Sequence, residues 1–443
     1  MGDPVVLARE AHSISRKHID PDALKVLYRL HHSNYIAYLV GGSVRDLLLG
    51  RKPKDFDVGT SAHPYQVKKL FRNCWIIGRR FRLAHVRFGM KTIEVATFRR
   101  PLGADEAEVV ADIQPAEPPT SPDAVPRDPA ASVDDSAHDH FVHRDNTFGT
   151  PEEDAFRRDF TINALFYDIG TFSIIDYTGG LADLRNGLIR CIGEPRERFR
   201  EDPVRMLRAV AMAARLDFRI DPPIDEAIVD TRGEIARSAP ARLIEEFYKL
   251  LRSGASERAF QMLAERGLLE PVAHQLQANA KPKLWQSLAA LDAYRRRFET
   301  IPDTLTNAVL MGSLIVPLGH SLQTLTPPAS EGNGKKEPRL SMGILPLARR
   351  DVERLRQILG LQRRLMDTSL SPRARRALMH RGPFREALTW LDIHGQAPDA
   401  VEHWRGFIEA AGAYEGDAKE AAERPRRRRR RRGRRGPFRS PTH

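Results

Sequence analysis

A strand, a glycine turn and a helix near the start of this 443-residue chain constrain its fold most. The apolar run Tyr35–Val40 predicts a buried strand, and it ends in Gly41-Gly42. Val44–Leu49 follows with the apolar spacing of a helix. Glycines let backbone N–H groups approach a ligand closely, and a helix start favours phosphate. Because Gly-Gly before a helix is also a common tight turn, this segment alone identifies no ligand.

Three carboxylates in the following residues suggest a metal site. Asp55 and Asp57 flank Phe56 on a predicted strand, so they project from the same face. Carboxylates this close repel each other unless a cation lies between them, and Mg²⁺ accepts one or two carboxylates plus substrate phosphates. Glu94 stands alone in an apolar strand and would complete a three-carboxylate site if the two strands are neighbours. The alternatives are an exposed acidic strand end and ordinary strand alternation.

The remaining pattern separates a small sheet from a long helical region. Leu83–Phe88 and Thr92–Phe98 are two predicted strands around Gly89, which is typical of a hairpin. From Asp202 onward the periodicity is helical. We therefore predict an α+β protein, with an N-terminal head built on a small mixed or antiparallel sheet, followed by an all-helical neck and C-terminal region.

The predicted domain limits follow the changes in composition. They are an N-terminal extension (1–34), the head (35–189), a helical neck for base and RNA binding (190–275), a helical C-terminal domain (276–415) and a disordered RNA-binding tail (416–443). The head includes the segment 101–140, which holds ten acidic residues, one arginine and seven prolines. Such a segment buries too little apolar surface to fold, so we expect disorder there.

Charge and cysteine content narrow the function classes. The formal net charge is +13, and residues 424–443 hold eleven arginines and no acids. A polyanionic partner such as RNA is the first expectation. Two cysteines exclude a disulfide framework and a cysteine zinc site, and a reducing cytoplasm fits. No apolar run approaches the ~20 residues of a membrane span, and we expect no secretory signal because no basic stretch precedes an apolar one.

Four ordered motifs resemble those of the class II nucleotidyltransferases. They are Gly41-Gly42-x-Val44-Arg45-Asp46, Asp55-x-Asp57, Arg157-Arg158-Asp159-Phe160-Thr161-Ile162-Asn163-Ala164 and Glu201-Asp202-x-x-Arg205-x-Leu207-Arg208. That family holds bacterial poly(A) polymerases and tRNA CCA-adding enzymes within the DNA polymerase β superfamily. The resemblance spans roughly residues 35–270.

The resemblance implies roles for individual residues. The catalytic acids would be Asp55, Asp57 and Asp159. The ligands of two Mg²⁺ ions would be Asp55, Asp57 and Glu94. The residues binding ATP would be Gly41, Gly42, Arg45, Arg158, Asp159, Asn163, Asp202 and Arg205. The glycines and Arg45 would hold the triphosphate, and the last two residues would read the base edge.

The base-reading pair also has a physical rationale. At i and i+3 of one predicted helix, Asp202 and Arg205 share a face. A carboxylate acceptor beside a guanidinium donor matches the amine and ring nitrogen of adenine or cytosine, whereas guanine and uracil would leave polar groups unpaired. The pair does not separate ATP from CTP, and a surface ion pair is the alternative.

Three segments resemble bacterial poly(A) polymerases more than CCA-adding enzymes. The first is residues 76–86, with Arg79 and Arg80 as predicted RNA contacts, and the second is residues 144–154. The third is the arginine tail, with the predicted RNA contacts Arg426, Arg427, Arg428, Arg429 and Arg430. Such a tail binds the RNA backbone without reading sequence.

These features predict a template-independent poly(A) polymerase that transfers AMP from ATP to RNA 3′ ends with little sequence preference. A CCA-adding enzyme is the close alternative. An RNA-binding protein whose head only senses nucleotide is the alternative from another class.

Overall fold

The computed structural model describes residues 3–78, 82–100, 148–319 and 341–423, with the side chains of residues 341 and 411–423 not described. Arg79, Arg80, the acidic segment 101–140 and the tail arginines lie outside the described residues. What we predict for them stays a prediction.

The head is built on one eight-stranded mixed sheet. Its strands are β1 (Val5–Leu7), β2 (Ala37–Val40), β3 (Asp57–Thr60), β4 (Cys74–Ile77), β5 (Leu83–Phe88), β6 (Lys91–Thr97), β7 (Leu165–Asp168) and β8 (Ile174–Asp176). Their order is β1-β8-β7-β2-β3-β6-β5-β4. The β3–β6 pair is parallel and the other neighbours are antiparallel. The sheet is mixed, which is one of the two predicted forms, but its eight strands make it larger than the small sheet that we predicted.

Helices dominate the rest of the described chain. They are α1 (Pro21–His32), α2 (Gly42–Leu48), α3 (Pro64–Leu70), α4 (Pro151–Phe156), α5 (Gly180–Asn186), α6 (Pro195–Glu201), α7 (Val204–Leu216), α8 (Pro222–Thr231), α9 (Pro240–Leu251), α10 (Ser256–Glu265), α11 (Glu270–Ala278), α12 (Pro282–Arg295), α13 (Asn307–Ile315), α14 (Arg349–Met366), α15 (Pro372–Met379), α16 (Phe384–His394) and α17 (Pro398–Glu423). Two short strand pairs accompany them, β9 (Leu188–Ile189) with β10 (Arg219–Ile220) and β11 (Ser341–Met342) with β12 (Leu345–Pro346). The predicted α+β class is therefore confirmed.

The predicted N-terminal extension is wrong as a separate unit. Strand β1 pairs with β8 at one edge of the head sheet. Helix α1 buries Ala23, Val26, Leu27 and Leu30 in the head core, at the spacing of one helical stripe. The stripe was visible in the sequence, but the pairing of a three-residue strand with a partner far along the chain was not.

The sheet has a main core on one face and a smaller core on part of the other. Leu39 belongs to the main core, whereas its neighbour Val40 packs with Phe98 and Phe166 in the smaller one. This is strand alternation. Gly59 is required beneath the smaller core because a Cβ there would lie 2.6 Å from the Phe98 ring. The smaller core covers β2 and β7.

The apolar run near residue 310 forms a buried helix. Residues 308–315 of α13 are all buried. In the described ranges, no helix combines the length and apolar character needed to cross a bilayer.

Candidate functional site

A cavity of about 710 Å³ lies between the head and the first helices of the neck. Its lining residues are Gly41, Gly42, Arg45, Asp57, Arg157, Arg158, Asp159, Asn163, Asp202, Arg205, Arg208, Ala211, Met212, Arg215, Glu246, Lys249, Leu250 and Ser253. Seven of these are basic and four are acidic. The structure thus brings every predicted nucleotide-binding residue to one cavity with an excess of positive charge.

The glycine turn lies at the end of strand β2, and both Gly41 and Gly42 line the cavity. Gly41 has a φ of +71°, which side chains other than glycine rarely adopt. Its N–H donates to the Leu165 carbonyl at 3.3 Å. A Cβ on Gly41 would lie 3.1 Å from Nη1 of Arg158. Glycine at this position therefore allows both the turn and the close approach of Arg158.

Arg45 is buried and already bound, which the motif alone did not indicate. Its side chain is only 5% exposed. Nη2 donates to Asp46 at 2.7 Å and Nη1 donates to Oδ1 of Asn163 at 2.5 Å. Burial lowers the pKa of Arg45 from its ordinary value, and Asp46 opposes that shift. A phosphate that reaches Arg45 would have to share the guanidinium with these partners.

The hydrogen-bond network continues from Asn163 to Asp159. Nδ2 of Asn163 donates to Oδ1 of Asp159 at 3.1 Å, and the Phe160 N–H donates to the same oxygen at 2.9 Å. Oδ2 of Asp159 lies 2.7 Å from Nη2 of Arg208. Asp159 is therefore held rigidly by its own motif and by helix α7.

Arg158 is held beside the turn by three contacts. Its Nη2 donates to Asp154 at 2.9 Å and its Nη1 donates to the Asn163 carbonyl at 3.3 Å. Its guanidinium carbon lies 5.4 Å from the centre of the Phe166 ring, in a cation–π contact. These contacts fix its charge at the edge of the cavity.

Asp55 and Asp57 do not share a strand, which corrects the predicted geometry. Strand β3 begins at Asp57, opposite Val40 at the end of β2. Because the chain turns away at Gly41, residues before Asp57 have no strand partner there. The Asp55 side chain is 74% exposed, with Nζ of Lys54 at 3.8 Å. Asp57 lines the cavity and Asp55 does not.

Glu94 lies on the strand next to Asp57. In the parallel β3–β6 pair, Val58 is opposite Val95. Asp57 and Glu94 each precede one of these valines, so their side chains lie next to each other on the opposite face of the sheet from the valines. Burial, followed by the charges of Glu94 and Asp55, raises the pKa of Asp57 to about 6. The two strands are neighbours, which was the condition for Glu94 to join the other carboxylates. Without a cation these carboxylates repel each other.

No group of three or more His, Cys, Asp or Glu side chains within the described ranges is close enough to hold a metal ion alone. The predicted metal-ligand set stays a prediction. Substrate phosphates and water would have to supply the remaining oxygen ligands, which is the usual arrangement for Mg²⁺.

The predicted base-reading pair is not on one helix. Asp202 lies between α6 and α7 with φ −146° and ψ 91°. The residue before a proline avoids helical geometry, and Pro203 follows. Arg205 is in the first turn of α7, where Nη1 donates to Glu201 at 2.7 Å and to the Arg198 carbonyl at 2.8 Å. Both residues nevertheless line the cavity.

Three family models match the chain. They are described as "Poly A polymerase head domain" at residues 37–190, "Probable RNA and SrmB- binding site of polymerase A" at residues 217–279, and "Polymerase A arginine-rich C-terminus" at residues 341–436. Together these matches cover more than half of the chain. The chain belongs to the poly A polymerase family.

Named relatives of the poly A polymerase family come from both groups that the motifs suggested. The chain is 50% identical to poly(A) polymerase I of Salmonella typhi over 267 residues, which is 60% of this chain and 53% of the relative. It is 35% identical to a CCA-adding enzyme of Lactobacillus johnsonii over 250 residues, or 56% of this chain and 54% of the relative. These matches span about half the length of each relative.

A solved structure has the same fold. The CCA-adding enzyme of Bacillus stearothermophilus in complex with CTP is similar at a TM-score of 0.61 and 26% identity, covering 88% of this chain and 83% of that one. The head and the helices that follow are therefore arranged as in a CCA-adding enzyme.

Several charged residues in and beside the cavity were missed by the sequence reasoning. Nη2 of Arg215 lies 3.2 Å from Oδ1 of Asp46. On α9, Nζ of Lys249 lies 2.8 Å from Oε1 of Glu246. Arg242, also on α9, binds Asp202. In the sequence each looks like an ordinary solvated position of an amphipathic helix. The poly A polymerase family motifs end before α9, so no local signal marked its residues.

Proposed function

We propose that the chain is a template-independent polynucleotide adenylyltransferase that extends RNA 3′ ends with AMP from ATP. The RNA 3′-hydroxyl attacks the α-phosphate of ATP, and pyrophosphate leaves. The observation that supports this most is the single cavity that joins the Gly41 turn, Asp57, Asp159 and the Asp202–Arg205 pair. The names of the relatives that are about 50% identical point to the same reaction.

The carboxylate set fits divalent cations. Burial, and after it the charges of Glu94 and Asp55, raise the pKa of Asp57, and a bound cation would stabilise its ionised form against all three. Together with substrate phosphates and water, Asp57 and Glu94, with Asp55 from the preceding loop, would hold two Mg²⁺ ions. Bound Mg²⁺ lowers the pKa of an attacking hydroxyl and stabilises the leaving oxygens.

The basic side chains of the cavity suit a triphosphate. Arg158 stands against the Gly41 turn, and Arg208 and Arg215 enter the cavity from helix α7. Such fixed positive charges, set in a cleft before substrate arrives, stabilise the developing charge on phosphate oxygens. Arg45 positions Asn163 and through it Asp159, so its effect on the triphosphate is partly indirect.

Asp202 and Arg205 would select the base. Asp202 accepts hydrogen bonds and Arg205 donates them, and both line the cavity, Asp202 from the break before α7 and Arg205 from the first turn of α7. Guanine or uracil would place a carbonyl oxygen against the Asp202 carboxylate and an N–H against the Arg205 guanidinium. These groups cannot pair, so buried polar groups would be left without partners. Adenine and cytosine both fit.

A CCA-adding enzyme is the second candidate. It is supported by the likeness to the Bacillus stearothermophilus enzyme in complex with CTP and by the 35% identical CCA-adding relatives. The same cavity serves either reaction because the Asp202–Arg205 pair accepts both bases. The two free, buried cysteines fit a cytoplasmic location for either enzyme.

The deciding experiment offers an unstructured RNA oligonucleotide to the full chain with Mg²⁺ and each nucleoside triphosphate separately. A long ladder with ATP alone supports the adenylyltransferase. A tRNA lacking its CCA end, offered with CTP and ATP, tests the second candidate, since three added nucleotides with CTP use would favour it. Absence of pyrophosphate release in both reactions would reject both.

A further inference from the structure

One face of the head sheet carries Trp75 and His85, which the proposed reaction does not use, beside carboxylates that it does use. Trp75 on β4 is paired with His85 on β5, and His85 is paired with Glu94 on β6. Glu94 in turn stands beside Asp57 on β3. Directly paired residues project from the same face of a sheet. The four side chains therefore form one transverse row that starts at the cavity and ends at the edge strand.

This row lies on the open face of the sheet. Its neighbours along the strands, Cys74, Val86 and Ile93, point into the main core on the other face. Among the described residues, the smaller core covers β2 and β7 but does not extend over β5 and β4. Trp75 is 53% exposed, and Ile77, two residues along the same strand, is 51% exposed.

The chemistry of the face changes along the row. Next to the cavity it is acidic, with Asp57 and Glu94. Nε2 of His85 lies 3.6 Å from Oε1 of Glu94. Beyond His85 the face holds Trp75 and the exposed Arg87, which is two residues along β5 and therefore on the same face. An aromatic ring with a nearby arginine is the usual platform for an unpaired nucleotide.

The row has a length that suits a few nucleotides. Neighbouring strands lie about 4.8 Å apart, so the three strand steps from Asp57 to Trp75 span about 14 Å. At about 3.4 Å per stacked nucleotide, this distance corresponds to roughly four residues of a strand. Resting on the proposed function, we propose that Trp75 stacks on a base of the bound RNA a few nucleotides before the reactive 3′ end.

RNA fits this face better than a protein partner. Strand β4 is the last in the sheet order of the described residues, so a protein segment could add a strand there. A strand added at this edge would bind the backbone of β4 and would not contact the carboxylates at the other end of the row. The RNA 3′ end must reach those carboxylates to react. Continuity between Trp75 and the reacting site therefore favours RNA.

The first measurement is tryptophan fluorescence of the full chain without ATP. Trp75 is exposed. The other three tryptophans are partly buried (Trp285) or buried (Trp390 and Trp404) and provide a constant background. An RNA oligonucleotide should quench the wild-type signal, and Trp75→Phe should remove that quenching while still binding RNA. Absence of quenching, or equal quenching by ATP alone, would overturn the proposal.

The second measurement is primer extension with Trp75→Ala. We expect the KM for RNA to rise about 5- to 150-fold, the range for loss of one base–aromatic stack, with the KM for ATP unchanged. Val6→Ala is the control, since Val6 is 57% exposed on the opposite edge strand. An unchanged KM for RNA in Trp75→Ala would refute stacking and leave a protein partner as the occupant.

An RNA with one abasic nucleotide locates the stacked base. The abasic position that weakens the wild-type reaction but has no further effect in Trp75→Ala is the one that contacts the ring. Additive losses at every position would contradict a direct stack. If RNA quenches Trp75 but no AMP is transferred, the proposed function is rejected and the RNA contact of Trp75 is not. If AMP is transferred but Trp75→Ala changes neither quenching nor the KM for RNA, only the stacking on Trp75 is rejected.

Discussion

The carboxylate of Asp202 accepts two hydrogen bonds from the guanidinium of Arg242, at 2.9 and 2.6 Å. Arg242 belongs to α9, forty residues along the chain, and docks this helix against the break between α6 and α7. The pair is partly buried, with Asp202 21% and Arg242 51% exposed. Arg242 therefore orients the carboxylate that we propose to read the base.

Loss of Arg242 should weaken base selection more than folding. In Arg242→Ala the Asp202 carboxylate loses its two charged hydrogen bonds, so we expect about a tenfold lower kcat/KM for ATP and a smaller ATP-to-GTP ratio. Arg237→Ala is the matched control, because Arg237 pairs with Glu234 at the surface. Steady-state kinetics with each triphosphate measures the effect. An unchanged ratio would show that Arg242 does not position Asp202.

Neutralising Asp57 should abolish AMP transfer and stabilise the fold at neutral pH. The folded-state pKa of about 6 lies above the ordinary value of 3.8, so ionising Asp57 costs the folded state stability. This cost is complete above about pH 6 and absent below about pH 4. We expect Asp57→Asn to raise Tm at pH 8 but not at pH 4. The exposed Asp303→Asn serves as control. An equal rise in Tm at both pH values would contradict a raised pKa of Asp57 in the folded protein.

The activity should fall at low pH in a magnesium-dependent way. Asp57 must be ionised to hold a cation, and its pKa is raised to about 6 by burial and by Glu94 and Asp55. The kcat/KM should decline as the pH drops through about 6, and more Mg²⁺ should move the decline to lower pH because cation and proton compete. Rate profiles at several Mg²⁺ concentrations test this. If the pH of the decline does not change with Mg²⁺ concentration, Asp57 does not bind the metal.

Removing the Arg45 side chain should destabilise the head through Asn163. In Arg45→Met the buried Oδ1 of Asn163 loses its donor, which typically costs about 1–3 kcal/mol. Adding Asn163→Leu removes the unpaired oxygen but also the Nδ2 donor to Asp159, which keeps the Phe160 N–H and Arg208. We therefore expect the second substitution to restore part of the stability, because replacing both partners of a bond is cheaper than removing one. Urea unfolding measures the free energies. No recovery in the double variant would mean that Arg45 stabilises the head mainly through Asp46.

The arginine tail should set the salt dependence of RNA binding. Deleting residues 424–443 removes eleven arginines. For every RNA phosphate that the tail neutralises, the deletion should lower the slope of log K against log salt by about 0.7 for single strands. Binding titrations over a range of salt measure the slope, with an arginine-to-lysine tail as the charge-matched control. An unchanged slope after deletion would show that the tail does not bind phosphates.

Local patterns in the sequence predicted much of this protein. The apolar run before Gly41 predicted a strand, and the spacing after it predicted a helix, because each depends on residues close in the chain. The order of the motifs predicted a nucleotidyltransferase head, and all eight residues predicted to bind nucleotide line one cavity. Their individual roles stay predictions. Pro203 could also have placed Asp202 outside a helix, since the proline effect is local.

Tertiary structure alone decided the contacts between distant segments. The pairing of β1 with β8, the exposure of Asp55, the burial of Arg45 against Asn163 and the docking of Arg242 onto Asp202 all join residues far apart in sequence or depend on such neighbours. Strand pairing and ion-pair choice depend on which surfaces meet after the chain has folded. The sequence therefore determined which acidic, basic and glycine residues line the cavity. Tertiary packing decided which of those side chains are paired with other residues and which can bind a substrate.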